Sequence, residues 1–191
     1  MKKQNSPQNN PRKQGHLRLQ RLVVCAFLVA VSIVMGKYLK IPVGEVLRFS
    51  FENLPVIMGG IIFGPLAGAA IGVVADLVGC IMVGYAINPI LTVGAAAIGL
   101  VSGGVNILMR RAEKIPFSLR ILASSVLAHV VGSVLIKTFG LSAFYDLPLW
   151  ELMLWRLLNY FIVAAAEFFI LYYVLKNKTI ASHVAKTGGR T

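Results

Sequence analysis

From Leu22 to Leu175 the chain is written in long apolar runs separated by short breaks rich in glycine, proline or charge. Matched to the roughly 20 apolar residues that a helix needs to cross a bilayer, the runs predict six spans. These are Leu22–Tyr38, Phe49–Phe63, Leu66–Val83, Ile90–Met109, Leu119–Phe139 and Leu149–Leu175. Six such spans use about 120 residues, and what is left is two tails and short loops, with no room for a soluble domain. The expected fold is therefore all-α, a compact integral membrane bundle of six transmembrane helices over residues 19–176. The head, "MKKQNSPQNNPRKQGHLRLQ", is polar and rich in Pro, Asn and Gln, and a disordered basic tail is expected over residues 1–18. A second tail is expected over residues 177–191. The first span lacks a small-residue cleavage site and has a long polar head, so it does not read as a cleaved signal peptide.

Within the runs, "GGIIFGPLAGAAIG" poses a choice between a phosphate loop, a linker and a packing surface. Gly60, Gly64, Gly68 and Gly72 recur every four residues, the spacing that lets membrane helices approach closely. Pro65 interrupts the series and suits the first position of a helix, so Gly64-Pro65 is expected to turn span two into span three as a tight hairpin. A phosphate loop would need a Gly-Lys-Ser/Thr sequence in frame, and no glycine supplies it. Helix packing is the reading that remains.

Composition strengthens the membrane assignment: 57% of residues are hydrophobic, 14% are charged, and the formal net charge is +12. Soluble domains carry about a quarter charged residues. The charge is also asymmetric. Fourteen of the nineteen Lys and Arg residues precede span one, flank the joint between spans four and five (Arg120 just inside span five), or follow span six. The positive-inside rule makes that side cytoplasmic, with both termini inside. The excess of positive charge then reflects topology and attraction to anionic lipid rather than nucleic-acid binding. Cys25 and Cys80 lie within spans and read as small buried hydrophobes. They offer no disulfide framework or metal spacing.

Polar side chains inside a span, the ionisable ones above all, are costly and normally face a cavity or a partner. They include Glu52, Asn53, Asp76, Asn88, Thr92, Asn106, His129, Lys137, Glu151, Arg156, Asn159 and Glu167. Most fall toward the outer half, as a pocket open to the outside requires. In span six, Arg156, Asn159, Val163 and Glu167 share a narrow stripe. Arg156 and Glu167 stand about 16 Å apart along the axis, too far to pair, so each needs its own partner. Arg156 meets a ligand, snorkels outward, or pairs with one of Asp146 and Glu151. For Glu167, His129 and Asp76 a packing or pairing role is the plainer reading. There is no nucleophile–base set, no histidine pair and no nucleotide motif, so neither enzyme activity nor a cofactor is expected. A self-sufficient transporter would be expected to show two related halves, and none is evident. A substrate-binding membrane subunit driven by another protein fits better.

Three stretches make the chain familiar: "LRFSFENLPVIMGGIIFGPLAGAAIGVVADLVG", "YAINPILTVGAAAIGLVSG" and "WRLLNYFIVAAAEFFILYYVL". With them it resembles the substrate-binding S components of energy-coupling factor (ECF) vitamin transporters, most closely the folate type, from about Arg21 to Lys176. The resemblance implies six helices and a vitamin pocket near the outer face of a prokaryotic cell membrane, lidded by the loop after helix one. It also implies partners: a T transmembrane subunit and two cytoplasmic ATPases, docked through an alanine pair that Ala26 and Ala30 supply here. The lid would be Leu39–Leu47, where Pro42 and Gly44 forbid regular helix. Lys37, Lys40, Arg48, Lys137 and Arg156 would draw an anionic vitamin toward the mouth. Glu52, Asn53 and Asn88 are candidates for reading a pterin edge, with Thr92 and Asn159 nearby in the same set. Another water-soluble vitamin or precursor, or a self-sufficient small-solute transporter, stays open as an alternative.

Overall fold

The computed structural model of the 191-residue chain describes residues 11–38, 41–43, 47–112, 115–146 and 148–177. Its elements follow in order: α1 (Pro11–Lys37), a strand pair β1 (Ile41–Val43) and β2 (Leu47–Phe49), α2 (Asn53–Phe63), α3 (Pro65–Val83) and α4 (Pro89–Arg111). Then come α5 (Phe117–Ala128), a π-helical segment (His129–Ile136), α6 (Lys137–Tyr145) and α7 (Leu149–Lys176). The stretch from α5 to α6 is one continuous rod, Phe117–Tyr145. Among the described residues, five helices are long and apolar enough to cross a membrane, and α2 is shorter. Large side chains face outward all round, among them Leu66 at 81% exposure, Phe161 at 75% and Trp150 at 72%. Such a surface would aggregate in water and suits lipid.

Three expectations change. Helix α1 begins at Pro11, so the polar tail is shorter than residues 1–18. Proline is well suited to a first helical turn, and the Lys, Arg, Gln and Leu residues that follow are good helix formers. Second, a strand pair spans the expected lid and runs two residues past it, with Ile41 opposite Phe49 and Pro42 opposite Arg48, so the bundle is helical but carries a small hairpin. Third, span two does not begin at Phe49: α2 starts at Asn53. Pro55 explains this, because its ring would clash with the carbonyl four residues earlier in any helix extended upstream.

The glycine hairpin forms as expected. Gly64 has φ 94°, a left-handed conformation that glycine adopts freely, and Pro65 opens α3. Here α2, α3 and α4 meet backbone to backbone. A Cβ on Gly68 would stand 2.7 Å from the Gly60 Cα and 2.7 Å from the Gly99 carbonyl oxygen, and one on Gly103 would stand 2.7 Å from the Gly60 oxygen. Leu28, Ile57, Ile71, Ile98, Ile121 and Leu171 fill the core around this contact. Arg21 of α1 fastens the turn by donating to the Phe63 carbonyl.

These contacts give the bundle two distinct ends. The basic end gathers the start of α1, Arg110 and Arg111, the start of α5, and Lys176. The hairpin end gathers β1–β2, the Gly84–Asn88 connection, α6 and the start of α7.

Candidate functional site

Helix α2 begins in the interior of the bundle. Its 11 residues cover about 16 Å, roughly half the hydrocarbon thickness. Its first-turn N–H groups and the positive end of its dipole therefore point toward the hairpin end from within. Above it is a small cavity of about 30 Å³ lined by residues from α1, α2, α3, α4 and α6, including Ser32, Lys37, Glu52, Asn53, Asp76 and Lys137. Such a space admits water; a vitamin-sized molecule needs the surrounding side chains and the hairpin to move apart.

Polar groups and apolar side chains such as Ile33, Val56 and Ala95 share the cavity lining. Lys137, 7% exposed, reaches Glu52 Oε1 at 3.5 Å. Ser32 donates to the Glu52 carbonyl at 2.6 Å, which fixes the start of α2 against α1. Thr92 donates to Asp76 Oδ2 at 2.7 Å. Lys37 stands over the Tyr85 ring at 5.4 Å. Two glycines make room: a Cβ on Gly36 would strike Glu52, and one on Gly79 would strike Lys37. The result is two ammonium and two carboxylate groups around one space, half shielded from solvent.

A second polar cluster lies beside the first and deeper between α2, the π segment and α7. His129 Nε2 and Glu167 Oε2 are 2.6 Å apart, with both side chains fully buried. His129 Nδ1 lies 3.2 Å from Ser133 Oγ, and Asn53 Nδ2 donates to the same hydroxyl at 3.4 Å. The Ser133 carbonyl accepts Nε and an Nη of Arg156 at 3.3 and 3.1 Å. Arg156 also donates to Tyr160 at 3.3 Å, and Tyr160 stacks on His129 with ring centroids 5.0 Å apart. The π turn makes this possible, since its wider ring turns carbonyls such as that of Ser133 toward side-chain donors.

The residues singled out in the sequence thus separate into groups. Glu52, Asn53 and Lys137 line the cavity, and Thr92 holds Asp76, which lines it too. Asn88 is spent on structure: it caps α4 by accepting from Ile90 N at 2.9 Å and ties α6 by donating to the Gly140 carbonyl at 3.2 Å. Arg156 engages Ser133 and Tyr160, and neither it nor Asn159, half-buried on α7, lines the cavity. Arg48 lies in β2, and its side chain, like Lys40, falls outside the described residues. Ala26 and Ala30 are exposed on α1, so they are not packed inside the bundle. The sequence suggested packing or pairing roles for Asp76 and His129 and a place at the outer mouth for Lys37, and it gave no signal for Ser32 and Ser133. The available signals were Gly36 and Gly79, small residues that admit long side chains. Among the described residues no group of three or more His, Cys, Asp or Glu could hold a metal ion.

The comparisons agree with this architecture. A family model described as "ECF transporter, substrate-specific component" matches residues 20–184. A relative, the folate transporter FolT of Clostridium novyi (strain NT), is 33% identical over 58 residues. That stretch is 30% of this chain and 33% of the relative, so the aligned part spans about a third of the relative's length. A solved structure of FolT bound with folic acid is similar with a TM-score of 0.63 at 24% identity, over 81% of this chain and 91% of that one. The S component for biotin of an ECF-type ABC transporter matches with a TM-score of 0.63 at 16% identity, over 90% and 96%.

Proposed function

Because the chain belongs to the substrate-specific components of ECF transporters, multi-pass proteins of prokaryotic plasma membranes, we propose that it captures folate in the cavity beneath the hairpin. The observation that carries this reading is the ring of Lys37, Lys137, Glu52 and Asp76 at the inner start of α2. Folate joins a pterin, whose ring N–H and amino groups form a donor pair, to an anionic glutamate end. A carboxylate such as Asp76 or Glu52 accepts that donor pair, while an ammonium and the α2 dipole attract the anionic end. The folate-transporting relative supports this substrate over others. The equal fold similarity to a biotin-binding S component keeps a second water-soluble vitamin as the alternative.

In this reading the basic end is cytoplasmic by the positive-inside rule, and the hairpin covers the pocket on the outer face. Ala26 and Ala30 offer a flat, exposed patch against which a T subunit's helix can pack. That subunit and two ATPases would supply the energy. Isothermal titration of the purified chain with folate and with biotin tests the substrate. Saturable folate binding without biotin binding is expected, and the reverse overturns the folate reading. Accumulation in vesicles that contain this chain alone would overturn dependence on an energising module.

A further inference from the structure

A basic and aromatic cluster occupies the end of the bundle opposite the hairpin, and nothing in the vitamin reading uses it. Helix α4 ends on Arg110 and Arg111, both exposed, and the chain returns as α5 from Phe117. Arg120, half-buried on α5, lays its guanidinium 5.4 Å from the centre of the Phe117 ring. Its Nε is buried and has no hydrogen-bond partner, an arrangement that costs stability unless something accepts from it. The Phe117 ring meets Tyr172 of α7 with centroids 6.4 Å apart. Lys176 stands over Tyr172 at 5.1 Å and donates to its hydroxyl at 3.1 Å. Two aromatic rings thus bridge Arg120 on one side and Lys176 on the other, and Arg110 and Arg111 end the neighbouring helix α4, which packs against α5.

These four cations lack acidic partners among the described residues: the two ion pairs found there, Glu52–Lys137 and Glu167–His129, lie elsewhere. The N-terminus of α5 opens at the same place, and its first N–H groups have no intrahelical acceptor. The helices that carry these cations also expose large apolar side chains, with Leu108 67%, Leu119 46% and Tyr173 71% exposed. The charge calls for an anion, and the flanking leucines call for hydrocarbon beside it.

We propose that this cluster binds the phosphate of an anionic phospholipid headgroup, with Arg110 and Arg120 as its principal contacts and the acyl chains along the exposed apolar side chains of α4 and α5. A free anion would use the arginines but not the apolar flank. An acidic protein segment would need a wetter rim.

Native mass spectrometry of the purified full chain, titrated with phosphatidylglycerol or with phosphatidylcholine of the same acyl chains, tests this. Preferential retention of phosphatidylglycerol is expected. Each lost cation should weaken it about five-fold, so Arg110→Gln costs about five-fold and the Arg110→Gln/Arg120→Gln pair about twenty-five-fold. Arg120→Lys should keep part of the effect, since it keeps the charge and loses the fork. Arg18→Gln, on exposed α1 at the same end, should change retention little. Because Arg110 is exposed at a helix end, its single variant reads lipid binding even if Arg120 variants fold poorly. Equal retention of the two lipids overturns the proposal and leaves the cations to an acidic protein surface. Retention unmoved by Arg110→Gln and by the double change also overturns it. Saturable binding of inorganic phosphate without phosphatidylglycerol preference would make the site one for free anions and sink the lipid assignment.

Discussion

At the scale of single residues, the arrangement distinguishes side chains that face the cavity from side chains that hold the frame. Lys137 reaches Glu52, at the start of α2, through a long 3.5 Å contact. Arg156 is already committed to Ser133 and Tyr160. Lys137→Met, which keeps the stem and removes the charge, should therefore cost folate about 1.5–3 kcal/mol of charge-assisted binding, a loss of about ten- to over a hundred-fold. Arg156→Met should alter affinity far less and lower thermal stability instead. Titration calorimetry on both variants checks this, and an equal loss in the two would return Arg156 to the ligand's contact list. The His129–Glu167 pair gives a second contrast. Glu167→Leu strands a buried imidazole and should destabilise by about 3–5 kcal/mol, whereas Glu167→Leu combined with His129→Leu should recover much of that. Thermal unfolding in detergent of the single and double variants measures it. A double variant as unstable as the single one would mean that the pair stabilises beyond its mutual compensation.

At the scale of elements, the short α2 and its glycine contacts carry the architecture. Two substitutions of identical chemistry separate packing from propensity. Gly68→Ala drives a methyl to 2.7 Å from the Gly60 Cα and the Gly99 oxygen. Overpacking of this kind costs about 1–3 kcal/mol or more, against a gain of about 0.5–1 kcal/mol from helix propensity, so the variant should be less stable. Gly104→Ala, on α4 with nothing within 4 Å of the new methyl, should be neutral or more stable by about 0.5–1 kcal/mol. The order of melting temperatures reports the result. If both alanines stabilised, the three-helix contact would be looser than described. The four-residue glycine spacing was legible in the sequence as a packing face. Its partner, Gly99 and Gly103 of α4, was not, because spacing along one helix carries no information about which helix comes opposite.

At the scale of the whole molecule, function depends on which end faces out and which face meets a partner. Cysteines placed at Ala86 and Ala112, in a background with Cys25 and Cys80 replaced by alanine, probe the first. Both positions are exposed, one at each end. An impermeant thiol reagent should label Ala86→Cys in intact cells and spare Ala112→Cys, and the opposite pattern would invert the proposed orientation. Ala26→Trp and Ala30→Trp probe the second. Each should abolish ATP-dependent folate uptake by the assembled transporter yet leave folate binding by the isolated chain unchanged, since neither residue touches the cavity. Uptake that survives both changes would place the docking face elsewhere.

Hydrophobicity, charge asymmetry and the Gly64-Pro65 break are local properties, and they were enough to determine the class, the number of helical segments and the turn between α2 and α3. Pro55 and Pro11 were also local signals, and they explain why α2 starts late and α1 starts early. What stayed out of reach was pairing across the bundle. Glu167 and His129 are 38 residues apart, and Glu52 and Lys137 are 85 apart; each was visible as a costly group in need of a partner, without a way to choose one. Asn88 and Arg156 carried the same polar signature as true cavity residues, and only their spent hydrogen bonds to Gly140 and Ser133 separate them. The cost of burying a polar group is written in its own chemistry, whereas the acceptor that relieves it is supplied by whichever helix the packing brings alongside.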